Sequence, residues 1–413
     1  MPRYAIVAVL STLFILLAAC GNGDDDTDDV AFDPSPTPIE ETDDDPAPTP
    51  EPTPEPDPTP IETDEDPTAT PEPDPTPVDE PAEPELTTVA DGVPMPSSMV
   101  FTDDGRMFFS EVYDGRIRVV QDGELLEEPF ATLDIAQPGG YTEHGLLGLA
   151  LHPDFDENGY VYAFYTVGDA GGQPAEQRIV RFTDDGNTGV DENVIVEGLP
   201  FGPNCCHNGG RIAFGPDGML YATLGDVEEP ATSQNPESLA GSVLRYTPDG
   251  AVPEDNPFGS DNPVYAYGLR NPFGITFHPE SGDLFLSENG PDGYDEVNRI
   301  EAGGNYGWPE VQGIAGDENF IDPIWATTTD RIAPTGITVP TGDGVPELVG
   351  QVLFCQWNTG QLVALELADG NPDEVVGEEV LPIECNLDVT EGPDGAIYAS
   401  SQDAIYRFGP PAS

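Results

Sequence analysis

Lysine is absent from all 413 residues, and the whole basic complement is twelve arginines against 79 acidic side chains, a formal net charge of −67. A chain so short of cations repels the phosphates of nucleic acids and of anionic lipids, so nucleic acid is excluded as a partner. The acidic surplus suits a cell-wall, acidic or saline environment. Long apolar runs are missing too: the one from Tyr4 to Leu17 is too short to span a bilayer comfortably. Nowhere does the sequence sustain the 3.6-residue apolar period of a long amphipathic helix, which turns the reading toward strands.

The N-terminus is an address rather than a fold. Residues 1–19 carry one basic residue, Arg3, then the apolar run, then small residues before Cys20, which is the layout of a secretory signal. Leu17-Ala18-Ala19-Cys20 matches a bacterial lipobox, in which the Cys20 sulfur takes a diacylglycerol and becomes the mature N-terminus. Two or more acyl chains anchor a protein stably, so the expected location is the cell membrane or envelope, outside the cytoplasm, through a lipid anchor only. Residues 20–85 alternate Pro with Asp, Glu and Thr, hold no basic residue and lack the apolar surface needed to fold. This stretch reads as a disordered, extended tether. Beyond it, 55 carboxylates still face eleven arginines.

From residue 86 to 413 one phrase recurs: an apolar residue, a turn with Asp-Gly or Asn-Gly, then a strand mixing aromatic and aliphatic residues. It appears at Phe101–Gly105 before Met107, at His152–Phe155 with Asn158-Gly159 before Tyr160, and at Phe214–Gly218 before Leu220. It returns at Phe277–Gly282 before Leu284 and at Gly392–Gly395 before Ile397. A further strand with an arginine follows most copies, as in Arg116–Val120, Ile179–Phe182, Val243–Tyr246 and Ile405–Phe408. A degenerate unit fits between Pro334 and Leu367. Six small antiparallel sheets with Asp-Gly hairpins predict an all-β, six-bladed β-propeller over residues 86–413. A pair of β-sandwiches explains the sustained period less well.

In a propeller the ligand lies over the channel, touched by loops from several blades. His152 and His278 precede proline inside the phrase and read as turn-shaping. His207, in Cys205-Cys206-His207-Asn208-Gly209-Gly210-Arg211, stands before a strand among glycines that let a ligand approach, and a neutral imidazole there suits a general base near pH 7. His144 is a weaker candidate. The densest segment runs from Tyr265 to Pro309 and holds Arg270-Asn271-Pro272, Glu288-Asn289-Gly290-Pro291, Asp295-Glu296 and Asn305-Tyr306-Gly307-Trp308-Pro309. Carboxylates beside glycine-rich turns suit calcium, and equally ordinary turn chemistry. Cys205, Cys206, Cys355 and Cys385 are an even number in an exported domain, so disulfides are expected. Of the three connectivities, the one joining neighbours Cys205 and Cys206 needs a strained ring, so each is expected to pair with one of the distant two.

Three segments, Gly145–Phe155, His207–Asp226 and Gly268–Pro309, resemble the signature segments of the glucose/sorbosone dehydrogenase family, propellers that oxidise aldose sugars with pyrroloquinoline quinone. The resemblance spans most of residues 90–408. It implies that His207 is the general base taking the proton from the sugar's anomeric hydroxyl while hydride passes to the quinone. Asp226 is then the carboxylate that orients it, and Arg270 and Asn271 contact the quinone. The carbonyls of Gly290 and Pro291 match ligands of a calcium ion that polarises the cofactor, with Asp295 nearby through water, and Glu296 and Tyr306 match part of a second, structural calcium site. The implied partners are a small sugar substrate and an electron acceptor.

The family's lysine and two arginines that hold the quinone's three carboxylates have no counterparts. Thr359 and Cys385-Asn386-Leu387-Asp388 stand at those positions, and Phe273 stands where glutamine is frequent. With Cys385 there, Cys205, Cys206 and Cys385 are expected at one mouth, one of the neighbours bonded to Cys385 or Cys355. Hedgehog-interacting proteins are similar propellers that bind a protein partner. The alternative is therefore a non-catalytic, calcium-stabilised propeller binding a glycan or protein at the cell surface.

Overall fold

A computed structural model of the chain describes residues 83–411; the expected signal segment, Cys20 and the tether up to residue 82 lie outside the described residues. Six antiparallel sheets follow one another along the chain. Their first strands are Pro96–Phe101, Leu146–Leu151, Ile212–Phe214, Pro272–Phe277, Pro334–Thr338 and Asp388–Glu391. Each of these touches the next around a ring and the last touches the first, so together they line a central channel. The expected six-bladed propeller is what forms, the degenerate unit at Pro334 included. The ring is closed by Glu85–Asp91, which pairs antiparallel with Ala404–Gly409 as the outermost strand of the sixth blade. Among the described residues the one α-helix is the single turn Phe155–Asn158, and no helix is long and apolar enough to cross a membrane.

Burial explains why strict alternation is weak in the sequence. The second strands Met107–Glu111, Leu220–Leu224, Leu284–Glu288 and Val352–Gln356 are buried at every position, because neighbouring blades cover both faces of each sheet. The outer strand Asn371–Glu384 is largely exposed and carries the acids. The recurring phrase is the hairpin between first and second strands. At Gly105, Gly218 and Gly395 the backbone turns left-handed, with φ of 88°, 73° and 70°. Each of these glycines donates its amide to the carbonyl three residues earlier, at 2.9–3.0 Å. This is a type I turn closed by a residue that glycine adopts without steric cost. The arginine of the third strand braces the same turn, Arg245 to Asp217 at 2.9 Å and Arg407 to Asp394 at 2.8 Å.

Strand direction then fixes geography. First strands run away from one face of the ring and second strands return to it. Segments just before a first strand and just after a second strand therefore gather on that face, and the phrase turns lie on the other.

The cysteines depart from expectation. Cys205 bonds Cys206, their Cα atoms 3.7 Å apart, and Cys355 bonds Cys385 at 5.0 Å. Cys355 lies in the fifth blade's second strand and Cys385 just after that blade's last strand; both are fully buried with Leu353, Leu362 and Ile397. Cys385 therefore faces a blade core instead of the mouth, and Cys205 and Cys206 are left within reach of each other alone.

Ile405, fully buried in the sixth blade, packs with Ala90 and Val93 of the closing segment and Phe109 of the first blade. Ile405→Ala is expected to cost about 2–5 kcal/mol, measured as a lower urea midpoint by near-UV circular dichroism.

Candidate active site

A cavity of about 230 Å³ opens over the channel on the face where first strands begin. Tyr113, Glu143, His207, Asn289, Trp357 and Leu387 line it, one residue from the loops of each blade. All six either precede a first strand or follow a second.

His207 approaches from the segment before the third blade, and Asp226 from just after that blade's second strand. His207 Nδ1 lies 2.7 Å from Asp226 Oδ1, and Nε2 lies 2.8 Å from Nη2 of Arg270. A guanidinium only donates, so Nε2 accepts and the ring proton sits on Nδ1, donated to Asp226. That tautomer turns a lone pair toward Arg270 and leaves a buried carboxylate to meet the charge of an imidazolium. Asp226 is itself immobilised: its Oδ1 also takes the Glu228 amide and its Oδ2 the Trp308 indole N–H, both at 2.9 Å. The two loops approach so closely that a Cβ on Gly225 would stand 2.1 Å from the His207 carbonyl oxygen.

Ten of the eleven arginines among the described residues form ion pairs. Arg270 forms none. Its Nη1 donates to the carbonyls of Asn289 at 2.7 Å and Gly290 at 3.0 Å, and its guanidinium lies over the Trp308 ring. Burial lowers its pKa from the usual arginine range, opposed by the charges of Asp226 and Glu288. Asn271 places its amide N–H₂ on Glu143 at 3.2 Å and accepts the Gly209 amide at 3.3 Å. Burial pushes the Glu143 carboxyl up, against the Asn208 amide and His207. Phe273 and Leu387 line the cavity, and Arg211, 5.2 Å from the centre of the Phe273 ring, is engaged by Asp388 at 2.8 Å.

The remaining candidate residues occupy the fourth blade. Asp295 accepts the amides of Gly290 at 2.9 Å, Ile332 at 2.7 Å and Ala333 at 2.9 Å, and so holds the Gly290-Pro291 turn in place. Behind that turn a void of about 10 Å³ is lined by Glu288, Gly290, Pro291, Glu296 and Tyr306. Glu288 and Glu296 each accept from Asn298 Nδ2 at 3.2 Å, while the Asn298 Oδ1 has no partner. The two buried carboxylates are oxygen donors of the kind a hard cation takes, although it is the Asn298 N–H₂ that faces them and Arg270 also lines the void. Burial drives Glu288 well above the carboxylate range, with the Glu296 charge adding to it, and burial drives Glu296 up to about 7. The Tyr306 hydroxyl is engaged elsewhere, donating to the Arg299 carbonyl at 2.7 Å.

The other histidines are structural. His144 is fully buried between Thr142 and the Gly202 carbonyl, and His152 and His278 accept amides within their own turns. Glu143, Glu228 and Trp308 have no role on sequence grounds, and Glu288 only the general one of a carboxylate beside a glycine-rich turn. The signal that finds the three glutamates is positional: Glu143 precedes a first strand, Glu288 ends a second, and Glu228 follows one.

The model of the Glucose / Sorbosone dehydrogenase family matches residues 93–407. The chain belongs to that family. Among its relatives is the aldose sugar dehydrogenase YliI of Escherichia coli, 28% identical over 76% of this chain and 89% of the relative. The mouse Hedgehog-interacting protein is 33% identical over 48% of this chain and 32% of its own length. The pyrroloquinoline-quinone-bound aldose sugar dehydrogenase of Streptomyces coelicolor superposes with a TM-score of 0.68 at 30% identity, covering 80% of this chain and 99% of that one. For a glucose/sorbosone dehydrogenase the donor set here fits such a quinone at its reacting edge, where His207, Arg270 and Asn271 converge. It does not fit at the carboxylate edge: Thr359 is exposed with its hydroxyl on Gln356, Cys385 is buried, and Leu387 lines the wall.

The buried Glu288 and Glu296 carboxyls tie stability to pH. Both folded-state pKa values are raised, so each contribution is complete below the ordinary value of 4.5 and is lost as pH rises, for Glu296 through about 7. In chelator, the thermal midpoint should fall across that window. Glu296→Gln should recover on the order of 3 kcal/mol at its upper end, as calorimetry from pH 4.5 to 8 would show.

Proposed function

We propose that this propeller is a quinone-dependent dehydrogenase that oxidises an aldose sugar at its anomeric carbon. The observation that carries the reading is the His207 ring held between Asp226 and Arg270, at a cavity assembled from all six blades. Pyrroloquinoline quinone, when bound, supplies a two-electron acceptor for hydride. Arg270 and Asn271 would hold its quinone edge, with calcium on the Gly290 and Pro291 carbonyls and a second calcium near Glu296 and Tyr306.

The chain's own residues do the rest. His207 Nε2 takes the proton of the anomeric hydroxyl as hydride leaves the carbon. Asp226 meets the imidazolium charge without turning, because the Glu228 amide and Trp308 indole hold its two oxygens. Tyr141 and Trp357, their rings 5.6 Å apart and both lining the cavity, offer apolar faces to a sugar ring. The N-terminal address supports a setting outside the cytoplasm, with the propeller tethered by a lipidated Cys20 and the electrons passed to an external acceptor.

The missing basic clamp favours a second reading, a propeller that binds a glycan or protein and catalyses nothing. Each hydrogen bond to a charged group contributes about 1.5–3 kcal/mol, so losing three weakens quinone binding by roughly 10³-fold or more. A titration of the purified chain with pyrroloquinoline quinone in calcium separates the two. Saturable binding with aldose-dependent dye reduction is expected, and His207→Ala should keep the binding while losing about 10²–10⁴ in turnover. Absence of binding at high micromolar quinone would leave the recognition reading standing.

A further inference from the structure

The loop that carries His207 is held by parts that the chemistry above does not use. The Cys205–Cys206 disulfide lies immediately before it, half-buried, with Cys206 on the cavity wall. Across from it, Glu228 accepts the amides of Cys205 at 3.0 Å and Cys206 at 3.1 Å on one oxygen and the Asn204 side chain on the other. The Glu228 amide in turn donates to Asp226 Oδ1 at 2.9 Å, the oxygen that takes the His207 ring proton. The Val227 amide donates to the His207 carbonyl at 3.2 Å, and the Glu143 amide to the Cys205 carbonyl at 2.8 Å. His207, Val227 and Glu228 all sit at left-handed φ, 57°, 51° and 66°. Side chains other than glycine hold that conformation only where the surroundings over-determine it.

We propose that the vicinal Cys205–Cys206 disulfide and Glu228 are positioning residues for His207, holding its ring in the Nδ1-protonated form whose unprotonated Nε2, facing Arg270, can act as a base. This deepens the dehydrogenase reading and rests on it for its catalytic meaning. The ring formed by two adjacent cysteines limits rotation of the peptide between them, so that both amides converge on one carboxylate oxygen. Partial burial raises the Glu228 carboxyl, but the amides of Cys205 and Cys206 and the Asn204 side chain more than offset it. Glu228 is therefore an ionised acceptor at neutral pH. Its backbone then carries the order of the disulfide loop to Asp226.

The test uses the difference in access between the two disulfides. Cys355 and Cys385 are fully buried, whereas Cys205 and Cys206 are partly exposed, so dithiothreitol under native conditions opens the vicinal bond first. Two electrons and two protons convert that bond to two thiols while the dithiol closes to its own cyclic disulfide. In the ¹⁵N-histidine-labelled chain, with His207 assigned by its loss in His207→Ala, the oxidised protein should show the nitrogen shifts of a single Nδ1-protonated tautomer. Reduction, the Cys205→Ser/Cys206→Ser variant and Glu228→Ala should each average the two ring nitrogens. Each should also lower turnover about 10-fold or more at unchanged KM. Reoxidation, and Glu228→Gln, which keeps an acceptor oxygen under the two amides, should restore both. A His207 tautomer that stays the same on reduction and in Glu228→Ala, with the blades intact by circular dichroism, would overturn the proposal. The nitrogen shifts need no turnover, so a protein that oxidises no sugar but shows the tautomer change refutes the dehydrogenase reading alone. If a variant does not fold, reversible reduction of the wild-type chain decides the question.

Discussion

Closing six antiparallel sheets around one channel brings their first strands side by side in the same sense, because every blade repeats one strand order with its first strand as the inner edge. Everything else in the molecule follows from that alignment. Loops before first strands and after second strands are brought to one rim, so His207, Asp226 and Arg270 meet although Arg270 is 63 positions beyond His207. The turns that punctuate the sequence most visibly end up on the opposite rim, braced by their own arginines. Repetition thus builds the scaffold, and departures from it build the site.

Charge makes the same division. With no lysine and eleven arginines in the described residues, nearly every cation is committed to a carboxylate within or between blades. Arg270 is the exception, resting on carbonyl oxygens, an indole face and the His207 lone pair. A chain so acidic would ordinarily neutralise such a group at once. Here its nearest carboxylates, Asp226 and Glu288, are already held by backbone amides, the indole N–H and the imidazole, and the Arg270 amide itself donates to Glu288. The guanidinium keeps its charge for whatever enters the cavity.

Buried acids are the other expensive feature. Asp226, Asp295 and Glu296 take amides from the turns beside them, so carboxylates serve as loop clamps wherever glycine-rich segments would otherwise be loose. The Glu288–Glu296 pair shares the Asn298 N–H₂ and takes the Arg270 and Gly313 amides on its other oxygens, while the Asn298 Oδ1 is left without a partner.

Much of this was legible beforehand. Asp-Gly turns, their spacing and the arginine-bearing strands predicted six blades, because hairpin chemistry is local. His207 stood out among glycines, and the resemblance attached roles to it, Asp226, Arg270 and Asn271. Glu143, Glu228 and Trp308 carried no such mark, since their partners come from other blades or from across a loop and only their place relative to the strands distinguishes them. The cysteine pairing failed for a related reason: the strain of a vicinal ring and the resemblance together suggested a bridge at the mouth, whereas strand direction put Cys385 inside a blade. The sequence by itself therefore determined the blade, its turns and their number, all set by short-range preferences. Only the closed ring decided which loops share a rim, which arginine forms no ion pair and which nitrogen of His207 carries the proton, because each is settled by contacts between segments that the chain keeps far apart.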